Sequence, residues 1–352
     1  MVPSASMTDG TMRAAVVAGP KAFRVDEVPR PEPGSGEVRV RVESCGVCGS
    51  DLTFYHQNLM RVGQTPGHEI AGVVDAVGPG VSGLDEGTRV AVEPLRTCGE
   101  CVYCRSGRDS ICRQTKIHGV HLAGGFAEAV TVPADRLYPL PADLDAAVAA
   151  TTEPVAVAVH GLGRGRLEKG QRVLILGAGS VGLVTLIAAR AMGAGEVWIS
   201  ARHEAQAELA RQLGAARVLR EEEASPESLG LLGLETDFDL VVESVGRGDT
   251  LRAACAAIRP GGTISVLGVF LGGVELEPLS LFLKEGNLVW SNCYHRRGGR
   301  DADFAHAVEL VDSERESLSQ LISHRLPLDE IGRAFEVAAD KAAGAVKVSV
   351  QP

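Results

Sequence analysis

Four cysteines, Cys98, Cys101, Cys104 and Cys112, fall within fifteen residues in a C-x2-C-x2-C-x7-C spacing. One tight loop of this kind points four thiolates at a common centre about 2.3 Å away, the tetrahedral demand of structural zinc. Two loop disulfides or an iron–sulfur cluster would draw on the same residues, but a cytosolic chain gains little from disulfides. Upstream, Gly46-Val47-Cys48-Gly49-Ser50-Asp51 is followed after a gap by Pro66-Gly67-His68-Glu69. A thiolate, an imidazole and a carboxylate suit zinc with an open coordination position. Asp51 is suited to hold the second imidazole nitrogen of His68 and fix its tautomer, and Ser50 to take a proton from a metal-bound alcohol. Each residue also has a plain structural reading, since a buried Cys is usually a small hydrophobe. Spacing alone does not bring Cys48 and His68 together.

Gly177-Ala178-Gly179-Ser180-Val181-Gly182 is a G-x-G-x-x-G between an apolar run and an Ala-rich amphipathic run. The first glycine permits a tight turn, the second lets a diphosphate approach the backbone, and the third allows close helix–strand contact. The helix N-terminus then offers free N–H groups and positive potential to the phosphates. The second strand of such a unit ends in Asp or Glu when the adenosine ribose is unphosphorylated. Here the tip reads Ile199-Ser200-Ala201-Arg202-His203, with a cation and no acid. The Arg favours NADP over NAD, with Ser200 and His203 as further donors, unless Glu204 serves as an NAD contact.

The elements that must position these groups change character along the chain. Ala14–Val17, Val38–Val42, Ile70–Val77 and Arg89–Val92 are short apolar or alternating runs between turn signals, the pattern of a β-rich unit. From about Thr151, apolar strands at Arg172–Leu176, Glu196–Ser200, Leu240–Val242 and Thr263–Leu267 alternate with helical runs at Val181–Met192, Glu204–Gly214 and Asp249–Ile258. That alternation predicts a doubly wound parallel sheet, inserted into the β-rich unit, which resumes after about Val289 and ends in a strand at Val346–Val350. With 352 residues, roughly two domains of about 100–200 residues each are expected. A formal net charge of −10 argues against a nucleic-acid-coating role. The polar start Met1–Met12 lacks the order of a signal peptide, and the longest uncharged run, Val173–Ala189, is short of a membrane span and broken by glycines. Cytoplasm is the expected compartment, with no membrane partner.

Together, Gly46–Asp51, Pro66–Glu69, the four-cysteine lobe and Gly177–Gly182 resemble the zinc-containing medium-chain dehydrogenase/reductase superfamily from about Arg13 to the C-terminus. Glu153-Pro154 followed by His160, and Ser323-His324-Arg325-Leu326-Pro327-Leu328, resemble its sorbitol and related polyol dehydrogenase branch. The resemblance implies an α/β protein: a GroES-like β-rich catalytic domain (13–150 and 290–352, with a structural-zinc lobe at 95–113) and an inserted Rossmann domain (151–289). It implies one catalytic and one structural zinc, and NAD(P)-linked oxidation of an alcohol or the reverse reduction. Cys48, His68 and Glu69 match the branch's catalytic zinc ligands, Glu153 lies where it approaches or ligates the metal, and Ser50 matches the hydroxyl that starts the proton relay. One departure is Thr53, where many relatives carry His, so the distal relay is open.

The expected reaction is oxidation of a secondary alcohol, with a polyol, cyclitol or related hydroxy compound as substrate. A threonine-type amino-alcohol dehydrogenase, a carbonyl reductase and a non-catalytic zinc- and nucleotide-binding protein are the alternatives. Asn292 and Tyr294 fall in a segment that lines the substrate pocket in relatives, with no role assigned to either. A homodimer or homotetramer is expected.

Overall fold

A computed structural model describes residues 10–231, 237–276, 278–296 and 302–352. Two sheets organise them. The first is antiparallel in its centre, where Glu37–Gly46 pairs with Glu69–Val77, which pairs with Arg89–Val92. Alternation makes the central strand: Val38, Val40 and Val42 are buried, and Arg41 between them is exposed. The last strand, Lys347–Gln351, joins the far end of Glu37–Gly46, and Ile322–Pro327 completes that edge.

The second sheet is parallel throughout, in the order Arg217–Arg220, Glu196–Ala201, Arg172–Leu176, Phe238–Glu243, Ile258–Val266, Asn287–Trp290. In chain order this is 3-2-1-4-5-6, the doubly wound arrangement that binds ligands at the carboxyl ends of its strands. Its inner strands are apolar runs because helices cover both faces. One face packs Val173, Ile175 and Val242 against the helices Thr152–Arg164 and Ser180–Ala191, and the other buries Leu174, Trp198, Val241 and Ile264.

The helix Thr152–Arg164 joins the two sheets. Its Pro154 falls in the first turn, where the missing N–H costs nothing. Val155, Ala158, Val159 and Leu162 on this helix share one continuous core with Ala71, Ala91 and Leu95 of the antiparallel part. A single apolar core therefore carries the chain across the boundary between its sheets.

The antiparallel and parallel strands anticipated above form with small shifts at their ends; Arg89–Val92 and Arg172–Leu176 coincide with the sequence reading. The strands Ala22–Pro29, Arg217–Arg220 and Asn287–Trp290 were not legible. The first carries charges at an exposed hairpin, and the other two have only four residues each.

Candidate active site and cofactor cleft

Three strands meet at Gly46. Its Cα pairs across the sheet with both Glu69 and Ser349. A Cβ at Gly46 would collide with the Glu69 carboxylate, so this position requires glycine. The vacated space lets the carboxylate turn inward, where Lys347 Nζ donates to both of its oxygens at 2.7 Å. Both side chains are buried, at 1% and 2% exposure. Burial opposes the Lys347 charge, but Glu69 and Cys48 outweigh it and raise its pKa. Neither composition nor spacing pointed to Lys347. Its signal was a single cation inside a strand that is otherwise apolar or small.

Two residues after Gly46 the chain leaves the strand at Cys48, the N-cap of the helix Gly49–His56. Asp51 accepts from the Cys48 N–H at 3.1 Å, which fixes the cap, and its other oxygen stands 3.5 Å from His68 Nδ1. The backbone thus brings Cys48 and His68 together through one buried carboxylate. Burial works against the imidazolium, yet the charges of Asp51 and Cys48 raise the His68 pKa well above its usual value. His68 Nδ1 is itself buried without a hydrogen-bond partner.

Glu153 reaches the same cluster from the first turn of the bridging helix. Burial pushes its carboxyl up to about 7, with His68 pulling the other way and Glu69 adding to the rise. No described residue hydrogen-bonds to it. Ser50 lies half-buried in the first turn of Gly49–His56. The Thr53 hydroxyl, by contrast, donates to the Gly49 carbonyl at 3.0 Å within its own helix. Cys293, held at a positive φ of 53°, is near enough for the Glu153, His68 and Cys48 charges to bear on its thiol. Tyr294 is buried with an unpartnered hydroxyl, and Asn292 Nδ2 donates to the Ser110 carbonyl at 3.5 Å.

The four lobe cysteines do converge. Among the described residues they are the one group of three or more such side chains whose donor atoms all lie within 4.8 Å of one another. The Cys98–Cys104, Cys101–Cys104 and Cys98–Cys112 sulfurs are 3.8, 3.5 and 3.5 Å apart. Those separations far exceed a disulfide bond of about 2.05 Å and match sulfurs arranged tetrahedrally at about 2.3 Å from a metal. No three of Cys48, His68, Glu69 and Glu153 meet that convergence, and Glu69 is turned to Lys347.

A cleft of about 610 Å³ opens at the carboxyl edge of the parallel sheet, lined by Gly177, Gly179, Ser200, Arg202 and His203 among others. Gly177 adopts φ +104°, and a Cβ at Gly182 would strike the Gly177 carbonyl. A Cβ at Gly179 would meet nothing, so this backbone faces open space that a ligand can approach. Ser180 opens the following helix with its hydroxyl buried and unpartnered, and Val181 is half-buried beside it. The Ser200 hydroxyl accepts from the Gly177 N–H at 2.9 Å and so shapes the turn. Ala201 is buried at the strand tip, Arg202 is exposed, and His203 is the N-cap of Glu204–Gln212.

Residues 34–142 match the family model described as Alcohol dehydrogenase GroES-like domain, and residues 180–313 match Zinc-binding dehydrogenase. The chain is 34% identical over 333 residues to a 2-dehydro-3-deoxy-L-galactonate 5-dehydrogenase of Pseudoalteromonas atlantica, covering 92% of this chain and 94% of that protein. The chain belongs to the zinc-dependent medium-chain dehydrogenase/reductase family. An L-threonine 3-dehydrogenase of Anaeromyxobacter is equally similar, at 34% identity over 92% of this chain and 94% of that one. The dehydrogenase also superposes on a zinc-binding dehydrogenase of Sinorhizobium meliloti bound to NADP, with a TM-score of 0.87 and 32% identity over 98% of this chain and all of that one. It is an alcohol dehydrogenase by family, with zinc and a nicotinamide cofactor. No described helix is long and apolar enough to cross a membrane.

Replacing Lys347 by Met leaves the buried Glu69 carboxylate unpaired. In denaturant unfolding of the metal-free protein, a loss of about 3–5 kcal/mol is expected, with part recovered when Glu69→Gln is added. A Lys347→Met protein as stable as the wild type would show that the pair does not hold this floor together.

Proposed function

We propose that this dehydrogenase oxidises a secondary hydroxyl of a polyol, sugar acid or similar polar compound reversibly, with NADP preferred over NAD. The observation that carries the reading is the buried Glu153 carboxylate, which no described residue hydrogen-bonds, near enough to His68 for their charges to interact. In this reading Cys48, His68 and Glu153 hold the catalytic zinc, and Glu69 joins them only by giving up Lys347. Zinc bound there supplies Lewis acidity to the substrate hydroxyl. Asp51 keeps the His68 ring oriented. Ser50 takes the proton at its hydroxyl, and Thr53, engaged with Gly49, does not carry it further; the proton leaves through solvent. A second zinc in the four-cysteine lobe has a structural role.

The Gly177–Gly182 turn and the N–H groups opening Ser180–Ala191 orient the cofactor diphosphate. Ala201 removes the carboxylate that would repel a 2′-phosphate, and Arg202 offers a planar cation to it. The NADP in the similar Sinorhizobium meliloti structure supports this preference. The sugar-acid and threonine dehydrogenases named above support a polar secondary alcohol as substrate.

A second copy of the chain is the expected partner. The strand Asn287–Trp290 is an open edge of the parallel sheet, and next to it Leu279, Phe282 and Trp290 are 66%, 76% and 50% exposed. An unpaired strand edge beside an exposed apolar patch is suited to pairing with its own copy. This arrangement supports a homodimer or homotetramer; the cytoplasm is the proposed compartment.

A panel of polyols, sugar acids, threonine and simple secondary alcohols, read by cofactor absorbance, tests the activity. Turnover is expected with a polyhydroxy substrate and a higher kcat/KM for NADP. Arg202→Ala is expected to cost about 1.5–3 kcal/mol selectively with NADP, and Ala201→Asp to move preference to NAD. A wild type that favours NAD, with the ratio unmoved by Arg202→Ala, overturns the cofactor preference. By light scattering, the wild type is expected to be at least dimeric and Phe282→Asp to lower its mass; a monomeric wild type contradicts the assembly.

A further inference from the structure

Two neighbouring strands of the parallel sheet bring a carboxylate beside Arg202, the cation proposed above for the 2′-phosphate. Ala201 and Arg220 are paired across Glu196–Ala201 and Arg217–Arg220. Both strands end at this pair, and the residues that follow them, Arg202 and Glu221, lie side by side. Glu221 Oε2 lies 3.5 Å from Arg202 Nε. Its other oxygen accepts from Arg247 Nη1 at 3.2 Å, a residue delivered by the loop after the strand Phe238–Glu243. Arg202, Glu221 and Arg247 all line the cofactor cleft. One carboxylate thus holds two guanidinium groups, contributed by the ends of three strands, at the edge of the cleft.

Arg247 has a second anion in Asp249, whereas Arg202 has Glu221 as its one ion-pair partner among the described residues. Arg202 is 66% exposed and Glu221 48%. Exposed pairs of this kind contribute little to stability, so a doubly charged phosphate outcompetes a single carboxylate for the same cations. A dinucleotide without that phosphate leaves the pair in place.

We infer that Glu221 is a cofactor-specificity residue: a displaceable internal anion that holds Arg202 and Arg247 together in the absence of a ribose 2′-phosphate and competes with that phosphate for them. Arg247 is then the second cation of the 2′-phosphate site. This rests on the NADP preference proposed above. Glu221 acts through the arginines and through its own charge, so it opposes the phosphate without touching the reacting atoms. Changing it to the isosteric amide removes the charge and keeps the shape.

The test is calorimetric binding of NADPH, NADH, adenosine 2′-monophosphate and adenosine 5′-monophosphate to the intact zinc-loaded protein. Glu221→Gln is expected to tighten NADPH and the 2′-monophosphate about two- to fivefold, while NADH and the 5′-monophosphate stay within error. Arg247→Ala is expected to weaken NADPH and the 2′-monophosphate about tenfold or more, again sparing the other two. Unchanged 2′-monophosphate affinity in Glu221→Gln overturns the inference. Weaker NADH binding in that variant also overturns it, since Glu221 would then be accepting from the ribose hydroxyls. A wild type that binds NADH more tightly than NADPH refutes the NADP preference. The 2′-monophosphate arm still reads Glu221 independently of that result.

Discussion

The buried pair between Lys347 and Glu69 is the constraint on which the metal-ligand end of the molecule depends. It joins residues 278 positions apart in the chain. It exists because Gly46 has no side chain to exclude the Glu69 carboxylate. The strands that carry Glu69, Gly46 and Lys347 also place His68, next to Glu69, and Cys48, two residues after Gly46, on one floor. A buried ion pair of this kind is not a large source of net stability, since desolvation offsets much of its attraction. Its contribution is positional: one carboxylate is committed to the ammonium, and the Glu153 carboxylate is left as the acid facing His68.

Glu153 in turn depends on the helix Thr152–Arg164, which shares its apolar core with both sheets. That shared core places a carboxylate from one side of the boundary within reach of the His68 charge on the other. Along the cleft the same economy holds. Gly177 takes a positive φ, Gly182 leaves room for the Gly177 carbonyl, Gly179 faces open space, and Ser200 braces the turn instead of pointing freely into the cleft. The charges at its far end sit just beyond the paired strand ends Ala201 and Arg220, where Arg202 meets Glu221.

Much of this was legible in the sequence because the decisive features are local. The four-cysteine spacing, the glycine turn and the apolar parallel strands are each written in short windows. Cys48 and His68 were legible as candidates, but their meeting depends on the register of Glu37–Gly46 with Glu69–Val77. Glu221 was not legible, and Lys347 only as a lone cation in its strand. Each acquires its meaning from a partner on another strand: Glu69 for Lys347, and Arg202 for Glu221. The same limit applies to Glu69, which by type and position reads as a metal ligand but in the fold has both oxygens engaged by an ammonium.

The commitment of Glu69 to Lys347 is tested most directly by anomalous scattering at the zinc edge from crystals of the zinc-loaded protein. Two peaks per chain are expected, one among Cys98, Cys101, Cys104 and Cys112 and one bounded by Cys48, His68 and Glu153, with Lys347 still bonded to Glu69. A second peak ligated by Glu69, with Lys347 released, would contradict it.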